Sequence, residues 1–135
     1  MRVRRLILLV VLALGLAACG SSGAPKPTHP TKIEFGIKGG NIAPFDITVS
    51  PAGQITEVGN LHITKRHLPS ATEASLSSAL ESSFAGLSSR QCKGTLPDVG
   101  SRFIRAEGRT VTVHGSCEAG FEQLWGRLTA AVGFD

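Results

Sequence analysis

No apolar run in this 135-residue chain is long enough to cross a bilayer as a helix. The greasiest stretch, residues 6–18, has thirteen residues, and a span needs roughly 20. The chain has three cysteines, Cys19, Cys92 and Cys117. They lie far apart, which excludes the two-residue spacing of a redox pair. The four histidines, His29, His62, His67 and His114, form no zinc signature with them and read as solvated or edge residues. Serine is abundant, yet no Gly-x-Ser-x-Gly elbow occurs. The "GIKGGN" at residues 36–41 lacks phosphate-loop spacing and sits between two expected strands, so no helix start faces it. No nucleophile is legibly paired with a base. The expectation is a non-enzyme with no cofactor and no metal.

What is present begins at the N-terminus. Arg2, Arg4 and Arg5 precede the apolar run, and small residues follow before Cys19. Charged, greasy and small in that order is the pattern of an export signal. The run is apolar on every side, which argues against an amphipathic surface helix. "LAAC" at residues 16–19 resembles the lipobox of bacterial lipoproteins at all four positions. The resemblance implies a diacylglycerol on the Cys19 thiol, cleavage just before that residue, and acylation of the new amino group. Two or more chains hold a protein firmly to a membrane where one holds it only marginally. The implied location is the extracytoplasmic face of the cell membrane. "VRRLIL" is also similar to a twin-arginine export motif, and the sequence does not choose between the two routes.

The net charge of +4 mostly describes the signal. Residues 1–18 hold three arginines and no acid, so the remainder carries +1. That balance makes no case for a nucleic-acid partner.

Residues 19–31 contain three prolines and no large apolar side chain, which reads as a tether after the lipidated cysteine. Residues 32–135 read as one globular domain. Alternation of Ile33, Phe35 and Ile37, then of Phe45, Ile47 and Val49, predicts two half-buried strands, with a weaker third at residues 55–58. "SPAG" at residues 50–53 marks a turn. Leu76, Ala79, Leu80, Phe84 and Leu87 recur at helical spacing, and Ser70 three residues before Glu73 predicts a capping box. "RFIRAEGRTVTVHG" predicts a hairpin turning at Glu107-Gly108. Phe121, Leu124, Trp125, Leu128 and Val132 share one face of a final helix, in which Trp125 is expected to anchor the core. Asp98 after Pro97 is expected in a turn, and "KRH" at residues 65–67 in a solvated loop. The order of strands, helix, hairpin and helix predicts an α+β two-layer fold, an antiparallel sheet with two helices on one face.

An exported chain meets an oxidising space, so Cys92 and Cys117 are expected to pair. A metal pair would need further ligands, and His114 alone is near in sequence.

The layout of "GIKGGNIAPFDITVS", a helix, "GRTVTV" and a second helix is similar to that of emfourins, small bacterial inhibitors of thermolysin-like metalloproteases. The likeness spans most of residues 33–132 and rests on the double glycine between early strands and the hairpin arm. The lipobox, tether and cysteine pair depart from that pattern. It implies a protease-binding role and assigns no inhibitory residue. The functional expectation is a lipid-anchored binding or inhibitory module with a protein partner in the envelope, and residues 60–69 as its candidate contact surface. The alternative is a small envelope hydrolase of unrecognised type.

Overall fold

The computed structural model describes residues 31–134. Cys19, the signal and nearly all of the tether lie outside them. The first strand, β1 (Ile33–Lys38), pairs antiparallel with β2 (Phe45–Val49), and β2 with β3 (Ile55–Val58). Helix α1 (Ser70–Ser83) follows and tightens into a 3-10 turn at Phe84–Gly86. Then come β4 (Arg90–Gln91), β5 (Ser101–Ala106), β6 (Arg109–His114) and α2 (Ala119–Val132). The sheet order is β3-β2-β1-β5-β6-β4, antiparallel except where β4 joins β6.

Alternation along the strands decides which face is covered. Ile33, Phe35, Ile47, Val49, Ile55, Ile104, Ala106, Val111 and Val113 point one way and form a single cluster with Leu76, Leu80, Phe84, Phe121, Leu124 and Leu128 of the helical layer. Both helices therefore lie on one face, as expected from the sequence. Each large side chain buried there contributes roughly 1.5–3 kcal/mol. Trp125 meets Phe35 edge-on at 5.7 Å and stacks on Phe121 at 6.1 Å. The anchor is real, although Trp125 stays half-buried rather than fully enclosed.

The capping box at Ser70 does not form. Pro69 occupies the cap position, and no side-chain cap bond is made. The Pro69 carbonyl instead accepts from the amides of Thr72 and Glu73. Pro69 is still extended and Ser70 is already the first helical residue, so the Ser70 hydroxyl is not at the cap position from which it could reach back along the turn. At the other end of this helical segment a cation from the sheet does the capping. Arg109 donates to the carbonyls of Phe84 and Leu87, and its guanidinium lies 4.9 Å from the Phe84 ring centre. Helix α2 ends at Gly133 in the left-handed conformation, and Thr64 and Lys65 bond its last carbonyls.

Strand β4 was not foreseen. Its two residues, with Ser89 and Cys92, satisfy the outer edge of β6: the Thr112 amide donates to Ser89 Oγ at 2.9 Å, and the Cys92 amide donates to the His114 carbonyl at 2.9 Å. At the opposite edge the chain at residues 66–68 lies against the start of β3 through Ile55, Arg66, Gly53 and Leu68 backbone bonds.

Candidate functional site

The two strands at the centre of the sheet are antiparallel, so the loop after β1 and the loop before β5 leave the sheet at the same end. Those loops are joined. The Asn41 amide donates to the Asp98 carbonyl at 2.8 Å. Gly40 permits the approach: it holds φ +68°, and a Cβ there would come 2.4 Å from the Asp98 oxygen. Residues 96–99 form the turn expected around Pro97, closed by the Val99 amide on the Leu96 carbonyl. The base of this loop is held by a disulfide between Cys92 and Cys117, with a Cα–Cα distance of 5.6 Å. The pairing expected from the compartment is present.

The joined loops expose apolar side chains. Ile42 is 48% exposed, Leu96 64% and Val99 43%. Residues 60–69, the stretch expected to form a contact surface, expose Asn60, His62, Thr64, Lys65, Arg66, His67 and Pro69. Their large aliphatic residues Ile63 and Leu68 are core, and Leu61 packs against it. Thr64 and Lys65 are spent on the α2 terminus. Among the described residues, three of the four exposed large apolar side chains lie on the loop pair, and the fourth, Val58, ends β3.

The second feature lies on the sheet face away from the helices. Lys38, Ser101 and His114 are directly opposite one another across β1, β5 and β6. Ser101 Oγ and His114 Nδ1 are 3.1 Å apart, and His114 Nε2 is 3.1 Å from the Leu96 carbonyl oxygen. A carbonyl only accepts, so Nε2 carries a proton, and in the neutral imidazole Nδ1 then accepts from the serine hydroxyl. His114 is therefore a buried, doubly bonded residue, not the solvated one expected. The sequence reading did not pair it with Ser101. The signal was available, because a two-residue turn at Glu107-Gly108 fixes the hairpin register and sets Ser101 opposite His114. Lys38 also belongs to this row; its Nζ lies 5.3 Å from the Phe103 ring centre.

Elsewhere on that face the charges around Glu34 are matched and that of Asp46 is not. Lys32 and Arg105 both pair with Glu34, whose carboxyl is held below its ordinary range by the hydrogen bond from Lys32 and, against the opposing effect of burial, by Arg105. The Asp46 carboxyl is pushed up by burial and by the charge of Glu34, and its Oδ1 has no hydrogen-bond partner. A groove of about 410 Å³ runs past Thr31, Lys32, Glu34 and Arg105, where opposite charges face each other. A second, also about 410 Å³, lies by Lys65, Thr72, Leu76 and Arg127. Among the described residues no three His, Cys, Asp or Glu side chains converge as metal ligands, and no helix is long and apolar enough to cross a membrane.

In comparisons with known proteins, no family model, no curated protein and no solved structure matches this chain.

Proposed function

We propose that this protein is a lipid-anchored extracytoplasmic binding module that engages a protein partner through the loop pair bearing Ile42, Leu96 and Val99. The observation that carries the reading is polarity. The lipobox leads, through the tether, into the start of β1, whereas the exposed apolar loops leave its far end. Six strand residues at about 3.3 Å each separate the two ends by roughly 20 Å. A module attached through the start of β1 would thus carry its apolar surface at the end farther from the point of attachment. Three large apolar side chains exposed together on joined loops fit a contact surface better than a monomer's ordinary exterior. The disulfide and the Asn41–Asp98 bond hold the loops in shape beforehand, which lowers the ordering cost of association. The similarity to emfourins favours a protease as the partner.

A photo-crosslinking residue at Leu96 of the full chain in its own envelope should capture a discrete partner, and one at Glu107 should not. Equal capture at both positions, or none at Leu96, would sink the docking surface. Inhibition of a thermolysin-like metalloprotease by the purified full chain tests the protease arm separately.

A further inference from the structure

We infer that Ser101 is a chemically activated nucleophile, with His114 as its base and Lys38 as the cation beside it, and that it accepts acyl groups from esters of apolar carboxylic acids. The inference goes beyond the binding reading and does not rest on it. Its first support is the tautomer. With Nε2–H committed to the Leu96 carbonyl, the Nδ1 lone pair faces Ser101 Oγ at 3.1 Å, inside the reach a general base needs. The imidazole is held on its far side by a fixed acceptor. That is the orienting role the third member of a nucleophile–base–orienter array plays.

The second support is the row itself. Directly opposed residues in a sheet have Cβ atoms about 4.5–5.5 Å apart, so Lys38 on β1 flanks Ser101 on the side away from His114. Its ammonium is kept over this face by the Phe103 ring. A cation in the same row, on the same face, adds positive potential beside Ser101, where an attacked carbonyl oxygen would gain negative charge. The third support is access and affinity. Ser101 is only half-buried, and Val99 and Leu96, both exposed, lie on the loop that supplies the orienting carbonyl. They offer apolar surface for an acyl chain.

Ser101 Oγ bonds to the ester carbonyl carbon, its proton passes to His114 Nδ1, and the carbonyl oxygen takes the electron pair beside Lys38. The tetrahedral species collapses with loss of the alcohol, which leaves with the proton from His114. Water, deprotonated by the same nitrogen, then releases the acid and restores the serine.

The experiment uses the full chain in detergent and an alkyl fluorophosphonate, which forms an Oγ–P bond with loss of fluoride. Peptide mass mapping should place one adduct on Ser101. The adduct should vanish in Ser101→Ala, form about a hundredfold more slowly in His114→Gln, and form more slowly in Lys38→Met. An adduct on another serine, no adduct, or an unchanged rate in folded His114→Gln would overturn the inference. Should His114→Gln lose its thermal transition, Ser101→Cys replaces it. Its thiol should alkylate with iodoacetamide at neutral pH about tenfold faster than free cysteine, since a neighbouring imidazole raises the thiolate fraction; a rate no faster than free cysteine overturns the inference equally.

Discussion

Arg102 shows how much of this fold one side chain can carry. Its guanidinium makes a two-pronged contact with Glu122 of α2, donates to the Gly115 carbonyl at 2.7 Å, and lies 5.6 Å from the Trp125 ring centre. It therefore ties the sheet, the β6–α2 connection and α2 together. Replacing it by alanine leaves the Glu122 carboxylate and the Gly115 carbonyl without that donor. The expected loss is about 2–3 kcal/mol by denaturant titration, and Arg102→Lys should recover little of it because lysine lacks the planar fork. Asp46 predicts the opposite sign. Its folded-state carboxyl is raised by burial and by Glu34, so ionisation at neutral pH works against folding. Asp46→Asn should stabilise the protein at pH 7. The gain should shrink on acidification, as the wild-type carboxyl takes up its proton. Glu34 has the reverse linkage: its lowered carboxyl stabilises the fold above the ordinary glutamate range and stops doing so as pH falls through its folded value. Glu34→Gln should therefore be destabilising near neutrality and nearly silent in acid, with both variants read by thermal melts across pH.

At the scale of elements, the disulfide joins the chain after the first helical segment to the chain before α2 across 25 residues. In the chain-entropy model such a closure stabilises by ~3.5 kcal/mol. Reduction should lower the thermal midpoint by about 10 °C or more and leave a cooperative transition, because the sheet and its helical cover do not pass through the sulfurs. A midpoint insensitive to reductant would show that the loop is held by other means. The elements legible in the sequence were those with strong periodicity: Phe35 and Ile47 on strands, Leu76 and Leu80 on α1, Phe121 and Leu128 on α2 all lie where their spacing put them. Strand β4 was illegible because Arg90-Gln91 has no alternation of its own and is a strand only by pairing with Val113 and His114. The capping box failed because Ser70 is already helical and Pro69 holds the cap position, whatever the Ser-to-Glu spacing. The row of Lys38, Ser101 and His114 was half-legible: the hairpin register yields the Ser101–His114 pair, but the pairing of β1 with β5 depends on contacts about 70 residues apart, which no local pattern encodes.

Across the whole molecule, the point where the chain enters β1 and the apolar loops stand at opposite ends of the central strands. In the lipidated full chain reconstituted into vesicles, a fluorophore at Glu107 should be quenched by lipid-borne nitroxides more strongly than one at Leu96. Equal quenching would mean that the domain lies on its side. Cys19→Ala should abolish membrane fractionation once the signal is gone, and persistence there would remove the lipid from the account. Were copies confined to a surface, as the proposed anchor implies, the short edge strand would gain a further use. Copies held in a plane meet one another far more often, and with fewer relative orientations, than copies free in solution. A bare β6 would offer each neighbour a ready row of backbone donors and acceptors, the usual seed of strand-to-strand association. The pairing of β4 and the Ser89 hydroxyl at Thr112 cover residues 112–114 of that edge, so two residues without periodicity of their own would make association through β6 harder in a crowded lipid-bound population.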